Sequence, residues 1–297
     1  MKSNRTVIIF AVVFVCLCLV LLAGFGIIYI RNRPPSSFSE SGYYLRGSKV
    51  YYYPGFGIAE PFEISTADRA SFIIIDSQYA LDANHVFYEG AFITDADPST
   101  FELLEPPFSR DSNHVYASGL VFSNDPVNFE ILGENISRDS QHLYWSDTII
   151  SNDPSHLVII SSLNYYTYLK DSTTVYVNGG PIPNADPLTF EVISDAYSRD
   201  ATHIFYFNEA ISQADINTFT VLEPPYSQDA SSVFWMENII PGADPETFRV
   251  LNANFECSAD ATFAYYQDQI IQGFDASTLL PDVQVNNCSA TELYTNP

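Results

Sequence analysis

The chain has 297 residues, of which 46% are hydrophobic and 15% aromatic, and a formal net charge of −24. This composition excludes a collagen-like or glycine-rich disordered chain. The excess of 36 acidic over 12 basic residues argues against nucleic acid as a partner, because such a surface repels phosphates.

The first element in the chain is a long uncharged run that begins at Val7 and ends at Ile30, after a tail of residues 1–6. An α-helix of this length spans roughly 36 Å, which is enough for a hydrocarbon core of about 30 Å. The run is longer than the apolar part of a signal peptide, about 7–15 residues, and no typical cleavage site follows it. We expect residues 7–30 to be an uncleaved transmembrane anchor, with a cleaved signal peptide as the alternative.

The orientation of this anchor follows from its flanking charges. Lys2 and Arg5 precede the run and favour a cytoplasmic amino terminus. A Ser- and Pro-rich linker is expected at residues 31–42. No acidic residue precedes Glu40, so all 36 acidic residues belong to the part of the chain that we expect outside the cytoplasm, at the cell membrane.

Residues 43–280 contain a degenerate repeat of about thirty residues. Its first half places an aspartate after an aromatic residue and before a short segment such as His-Val-Phe-Tyr. The aspartates are 28 to 32 residues apart, and a divergent copy without the aspartate starts at Tyr43. The repeat aspartates are Asp82, Asp111, Asp139, Asp171, Asp200, Asp229 and Asp260.

The second half of the repeat reads Ala-Asp-Pro-x-Thr-Phe-Glu-Val-Leu, or a variant of it, as at residues 96–104. The first half predicts a β-hairpin with the aspartate in its turn. The Asp-Pro pair predicts the cap of a single helical turn, with a short strand before it and a strand after it. The recurring apolar residue predicts a buried ladder, because a thirty-residue unit must stack on its neighbours. Its members are Phe101, Phe129, Leu157, Phe190, Phe219, Phe248 and Leu279.

The pattern Tyr-x-x-Asp-x-x-His-Val-Tyr-Tyr, followed by Ala-Asp-Pro-x-Thr-Phe-Glu-Val-Leu, resembles the DKNYY repeat family of bacterial proteins over residues 43–280. The resemblance implies repeats of this kind and no particular activity. We expect an all-β repeat protein of about eight hairpin-plus-helical-turn units stacked in an open array. A propeller-like ring is the alternative, and residues 281–297 are expected to form a carboxy-terminal cap.

Four histidines, His85, His114, His142 and His203, occupy one position of the repeat. Other copies have Thr174, Ser232 or Phe263 there, which favours a structural role over a catalytic or metal-binding one. The repeat aspartates, Asp82, Asp111, Asp139, Asp171, Asp200, Asp229 and Asp260, are expected to stabilise turns. A calcium ladder stays open as an alternative, although the ligand spacing of a calcium loop is absent.

Cys257 and Cys288 are the two cysteines that lie beyond the predicted anchor. Because an exported domain permits a disulfide, we expect them to pair and to pin the last repeat. No motif for a nucleophile, a phosphate loop, zinc or a dinucleotide is apparent, so no cofactor is expected. The sequence therefore favours a surface-exposed binding or scaffold module without catalytic activity, for a protein or glycan partner. A cell-envelope hydrolase and a purely structural stalk are the alternatives.

Overall fold

The computed structural model describes residues 40–55, 57, 59–163, 165–279 and 283–295. Within these ranges the chain is all β, with short antiparallel strands and single-turn 3-10 helices at Pro154–His156, Ala253–Phe255 and Ala276–Thr278. The described strands form nine small sheets, and none of these sheets closes on itself. The sheets belong to two compact units, residues 1–129 and residues 130–297.

The first unit contains three sheets, each with its strands in chain order. Sheet A consists of β1 (Gly42–Arg46), β2 (Lys49–Tyr53) and β3 (Phe62–Glu63). Sheet B consists of β4 (Ile73–Ile74), β5 (Tyr79–Leu81), β6 (Val86–Tyr88) and β7 (Ala91–Phe92). Sheet C consists of β8 (Glu102–Leu103), β9 (Phe108–Arg110), β10 (Val115–Ala117) and β11 (Leu120–Ser123).

The second unit contains six sheets of the same kind. Sheet D is β12 (Glu130–Gly133), β13 (Ile136–Arg138), β14 (Leu143–Trp145) and β15 (Thr148–Ser151); sheet E is β16 (Val158–Leu163), β17 (Tyr166–Lys170), β18 (Val175–Val177) and β19 (Gly180–Pro181). Sheet F is β20 (Glu191–Ser194), β21 (Tyr197–Arg199), β22 (Ile204–Tyr206) and β23 (Glu209–Ala210); sheet G is β24 (Thr220–Val221), β25 (Tyr226–Gln228), β26 (Val233–Trp235) and β27 (Asn238–Ile239). Sheet H is β28 (Arg249–Asn252), β29 (Cys257–Ala259), β30 (Ala264–Tyr266) and β31 (Gln269–Ile270); sheet I is β32 (Val285–Cys288) and β33 (Leu293–Thr295).

The boundaries of the sheets do not coincide with the boundaries of the sequence repeat. The strand that follows the ladder phenylalanine does not join the hairpin before it. Strand β20, for example, pairs with β21, with Glu191 opposite Arg199 and Val192 opposite Ser198. Sheets B to H therefore have four strands each. From sheet C onward, each structural unit starts just after one ladder residue and ends at the next.

Each repeat interface has its own small core. Tyr197 and Ile204 of sheet F are buried together with Ile211 and with Phe234 of sheet G. The same arrangement recurs one repeat later, where Tyr226 and the following strand pack against Tyr265 of sheet H. A single sheet cannot cover its apolar face, so adjacent sheets within a unit complete one another's cores.

The ladder residues lie at these interfaces, although several of them are only half-buried. Phe219 packs between Tyr197 of one sheet and Phe234 of the next, with ring centroids 6.0 and 6.3 Å away. Phe248 lies in the same way between Tyr226 and Tyr265, at 5.8 and 6.2 Å. The predicted ladder thus forms an aromatic triad at each of these two interfaces, whereas its member Leu157 packs against a mainly aliphatic core.

The expected carboxy-terminal cap contains one more hairpin, formed by β32 and β33. Its turn is closed by a bond from the Ser289 N–H to the Glu292 carbonyl. The equivalent bond in an ordinary repeat runs from Asp229 to Ser232. Ser289 therefore stands at the aspartate position of a ninth, shortened copy.

The predicted anchor at residues 7–30, the tail at residues 1–6 and most of the linker at residues 31–42 lie outside the described residues. The part of the chain that the structure describes holds no helix with the length and apolarity needed to cross a membrane.

Candidate functional site

The repeat aspartate is the centre of a hydrogen-bonded turn. In Asp111, Oδ1 accepts the backbone N–H groups of Asn113 and His114 at 2.7 and 2.8 Å. Oδ2 accepts the N–H of Asp97 and the hydroxyl of Tyr116, both at 2.8 Å. One carboxylate thus closes its own hairpin and ties that hairpin to the preceding Asp-Pro segment.

The Asp-Pro segment is connected to the hairpin a second time through a threonine. Thr100 donates its hydroxyl to Asp97 and accepts the N–H of Ser112 at 3.1 Å. The sequence analysis did not predict this role for the threonine. It could have been inferred from the recurrence of a threonine three residues after the aspartate of the Asp-Pro segment. The same bridge is made by Thr189, Thr218 and Thr247.

A serine can act as a relay between the two aspartates. The Ser151 hydroxyl, at the end of β15, donates to Asp171 at 2.6 Å and accepts the Asp153 N–H at 2.9 Å. The serine thus connects Asp153 to the buried aspartate of sheet E.

These buried carboxylates stay ionised because of their donors. Burial by itself raises the pKa of Asp229, but the N–H groups of Asp215, Ser231 and Ser232 lower it, and the net pKa is below the ordinary value. The same balance holds the pKa values of Asp111, Asp171, Asp200 and Asp260 below their usual range. Hydrogen bonds to the charged form outweigh desolvation at these sites.

The four repeat histidines cover the outer side of these turns. Nδ1 of His85 and of His203 lies 3.4 and 3.3 Å from Oδ1 of the aspartate three residues before it. Each ring also packs on the aromatic ring two residues later, Phe87 or Phe205, at centroid distances of 5.9 and 5.8 Å. His114 and His142 make the same ring contact with Tyr116 and Tyr144, at 5.9 Å in both cases. The histidines therefore belong to the repeat turns, and the structure does not bring them together at one site.

The same geometry bears on the calcium hypothesis. Both oxygens of a repeat aspartate such as Asp229 already accept protein hydrogen bonds. Within the described ranges, no three His, Cys, Asp or Glu side chains converge where they could hold a metal ion. These observations favour turn stabilisation, and calcium binding stays a hypothesis for the test given below.

Cys257 and Cys288 form a disulfide across the last interface, with their Cα atoms 5.8 Å apart. Cys257 occupies the position of Tyr197 and Tyr226 in β21 and β25, the residues that contact the following sheet. A covalent bond to the ninth hairpin thus replaces the aromatic contact of the other repeats.

A cleft, which we call the Tyr165 cleft, lies between sheets D and E. It has a volume of about 380 Å³. Its lining comes from the β12–β13 turn, the end of β14, the β16–β17 hairpin and the β18–β19 turn. The lining residues are Leu132, Gly133, Glu134, Asn135, Ile136, Trp145, Ile159, Ser162, Tyr165, Thr167 and Asn178.

The cleft arises from the longest repeat interval. Asp139 and Asp171 are 32 residues apart, and the additional residues lengthen β16 to six residues and β17 to five. The extended hairpin carries Tyr165 near its tip, where the side chain is 88% exposed. Among the exposed large apolar side chains of the described residues, Tyr165 is the most exposed aromatic one, and an exposed tyrosine offers an apolar ring and a polar hydroxyl to a partner.

Side-chain bonds hold the rim of the cleft in place. The Asn178 side chain donates to the Tyr165 carbonyl at 2.9 Å and accepts the Thr167 N–H at 2.8 Å. The Trp145 ring packs on Gly179, where a methyl group would lie 2.2 Å from Cγ of the ring. The β16–β17 hairpin and the β18–β19 turn are therefore held in place around the cleft before any ligand binds.

Fold and sequence together place the chain in a class of proteins. It is an all-β repeat protein in which the central hairpin of each of sheets B to H turns at a buried aspartate. The sequence model of the DKNYY family matches residues 22–120, 122–209 and 207–269. The chain belongs to the DKNYY family. No curated protein and no solved structure matches it.

Proposed function

We propose that this protein is a membrane-anchored binding module, displayed outside the cytoplasm, that contacts its partner through the Tyr165 cleft. The observation that carries the proposal is the exposed Tyr165 at the tip of the one hairpin lengthened within the 32-residue interval. Residues that depart from an otherwise regular repeat, and that are held rigidly around a concave surface, are the expected signature of a binding site on a repeat scaffold.

The chemistry of the cleft supports binding over hydrolysis. Glu134 is the single carboxylate among its described lining residues, and the other polar groups are amides, hydroxyls and a phenol. A glycoside hydrolase typically needs two carboxyl groups, and other hydrolases need a nucleophile with an adjacent base. The lining offers neither pair, which is why we place the hydrolase second. The structural stalk, the third alternative, gives no role to an exposed aromatic side chain.

The proposed location rests on two sequence features and one structural feature. The uncharged run at residues 7–30 is long enough to span a bilayer, and the acidic part of the chain follows it. The disulfide between Cys257 and Cys288 fits an oxidising compartment outside the cytoplasm. An uncleaved anchor would keep the cleft at the cell surface.

The location is tested by fractionation and protease treatment of intact cells. We expect the full-length chain to stay in the membrane after alkaline extraction and external protease to digest residues 43–280. Release by alkaline extraction, or protection from external protease, would contradict the proposed location.

The binding role is tested with the full-length protein in detergent, immobilised and exposed to envelope fractions with and without Ca²⁺. We expect the wild type to retain envelope material and Tyr165→Ala to lose most of it. Leu188→Ala is the matched control, because Leu188 has the same 88% exposure and lies away from the cleft. Equal retention by all three proteins would refute the role of the cleft. Release of soluble fragments from the envelope material would favour the hydrolase.

A further inference from the structure

The chemistry of the Tyr165 cleft indicates what kind of ligand it takes. We infer that the cleft binds an uncharged carbohydrate, with the Tyr165 ring stacking on the apolar face of a sugar. This inference rests on the proposed binding function and names its ligand class.

The charges in and around the cleft disfavour an anionic ligand. The chain carries a net charge of −24, and no Lys or Arg lies among the described lining residues. An anionic glycan, a polyphosphate or an anionic lipid would approach against this potential without a cation to receive it. Glu134, the single carboxylate of the lining, is exposed, so solvent and salt screen its attraction for a cation.

The lining of the cleft contains polar groups that suit the hydroxyls of a sugar. Asn135, Ser162 and Thr167 carry amide and hydroxyl groups, which both donate and accept hydrogen bonds. The Ser162 and Thr167 hydroxyls lie 3.1 Å apart, and the Asn135 amide oxygen accepts the Ser146 hydroxyl at 3.2 Å. Groups with both capacities match sugar hydroxyls, which have the same dual character.

The cleft also offers aromatic surface to a ligand. A sugar ring has a face of C–H groups and an edge of hydroxyls, and an aromatic ring offers a flat, electron-rich face to the C–H groups. Tyr165 presents such a ring to solvent, and Trp145 contributes a half-buried indole to the same lining. A volume of about 380 Å³ is at the lower end of small-molecule sites, so the occupant is a chain end or a short stretch of a glycan.

The aromatic side chain of the cleft sits on backbone that is held in place before a ligand binds. Tyr165 is not on a free loop, because Asn178 bonds its carbonyl and the hairpin below it is paired from Ser162–Thr167 to Val158–Lys170. A rigid aromatic residue orders little on binding and therefore loses less conformational entropy.

The test is a glycan array probed with the full-length protein, followed by calorimetric titration of the sugars that bind. The detergent must lack a sugar head group, because an alkyl maltoside would occupy the cleft. The array holds uncharged oligosaccharides together with aminated and carboxylated counterparts of the same linkage. We expect uncharged sugars to bind, and tryptophan emission to change on binding in the wild type and not in Trp145→Phe.

Variants separate stacking from mere exposure. We expect Tyr165→Ala to weaken binding by at least about tenfold, as for a central aromatic contact. Tyr165→Trp should stay within about threefold of the wild type, because it keeps an aromatic face, and Leu188→Ala should match the wild type. All variants should keep the thermal midpoint of the wild type, since both side chains are 88% exposed.

Failure of this inference and failure of the proposed function have different signatures. If Tyr165→Ala abolishes retention of envelope material but no uncharged sugar binds, the ligand class is wrong and the binding function stands. If charged counterparts bind better, or if Tyr165→Ala binds sugars as the wild type does, the inference is also overturned. If neither sugars nor envelope material depend on Tyr165, both proposals fall.

Discussion

At the scale of the residue, the aspartate of the repeat explains most of the recurring letters around it. Its carboxylate receives the two N–H groups of its own turn and the N–H of a residue 14 positions earlier, as in Asp229 and Asp215. Where the fifth residue after it is tyrosine, as in Tyr265, the hydroxyl also donates to it. A side chain without two acceptor oxygens cannot accept all of these hydrogen bonds.

The local half of this arrangement was predictable and the distant half was not. An aspartate followed by small polar residues indicates a turn in which the side chain accepts nearby N–H groups. The bond from Asp215 comes from a backbone N–H, which every residue but proline carries, so no sequence letter marks it.

Substitution of a repeat aspartate by asparagine should destabilise the protein. In Asp229→Asn one oxygen replaces two, so either the Asp215 N–H or the N–H groups of Ser231 and Ser232 lose their acceptor. We expect a loss of about 2–4 kcal/mol in the free energy of unfolding, measured by denaturant titration. Hydrogen exchange should increase at the affected amides.

The control for this substitution is Asp147→Asn, which makes the same chemical change at an exposed turn position. It should change stability by less than about 0.5 kcal/mol. If the two variants are equally stable, the buried hydrogen bonds do not support the turn as described.

The calcium hypothesis is tested at the same residues. Because the oxygens of Asp111 and Asp229 are engaged by protein donors, we expect the thermal midpoint to be the same in a calcium chelator and in millimolar calcium. A midpoint several degrees higher with calcium, lost in Asp229→Asn, would establish a calcium site instead.

At the scale of the element, strands of two to six residues are held by tight turns. Several of these turns place ordinary residues in the left-handed region, such as Ser146 at φ 53° and Met236 at φ 55°. These positions carry no glycine, so a positive φ could not be predicted for them from the residue type. The strand after the ladder residue was predicted, but its partner was not, because strand pairing depends on which surfaces meet.

Two glycines permit a matched test of the contact beside the Tyr165 cleft. Gly179 and Gly242 both have φ +77°, but a methyl group at Gly179 would lie 2.2 Å from the Trp145 ring, whereas nothing lies within 4 Å at Gly242. Both alanine variants should lose about 1 kcal/mol from backbone strain. Gly179→Ala should lose about 1–3 kcal/mol more.

The readouts for this pair are the free energy of unfolding and the emission of Trp145. Gly179→Ala should also shift the tryptophan emission, because the indole must move away from the added methyl group. Equal stability of the two variants would show that the indole yields without cost.

The disulfide should stabilise the last sheet and the ninth hairpin. It closes a loop of 31 residues, for which the chain-entropy estimate is about 3–4 kcal/mol. We expect the double variant Cys257→Ala and Cys288→Ala to show a lower thermal midpoint and faster hydrogen exchange in β32 and β33. Unchanged exchange there would mean that packing alone holds the hairpin.

At the scale of the whole molecule, charge is distributed very unevenly. Several of the few basic residues reach from a hairpin strand to the carbonyl of the next segment: Arg110 bonds Pro126 and Arg138 bonds Pro154, both at 3.2 Å. Arg110, Arg138 and Arg199 also pair with glutamates on the adjacent strand. These three arginines of the described part of the chain thus serve contacts within the protein.

Stability should decrease in acid. The folded pKa values of Asp111, Asp171, Asp200, Asp229 and Asp260 are below the ordinary value. The pKa of Asp153 falls to about 2 because Ser172 and His156 hydrogen-bond its carboxylate. The stability they contribute is present above the unfolded pKa, about 3.9, and is lost as the pH falls through the lower folded values.

We therefore expect the thermal midpoint to be nearly constant from pH 7 to about pH 5 and to fall below about pH 4, measured by circular dichroism. Protonation also relieves repulsion among the acidic residues, which acts in the opposite direction. A midpoint that rises steadily down to pH 3 would mean that repulsion dominates and that the buried carboxylates contribute little.

The sequence by itself determined the β-repeat architecture, the positions of the turn aspartates, the family and the interval in which the repeat is irregular. These features follow from local periodicity and from comparison of one copy with the next. Only the tertiary structure decided how the repeats join, with the last strand of each written repeat entering the next sheet. It also decided that the irregular interval forms a cleft around Tyr165. Both depend on contacts between residues far apart in the chain, such as the contact between Trp145 and Gly179. Neither residue type by itself indicates such a contact.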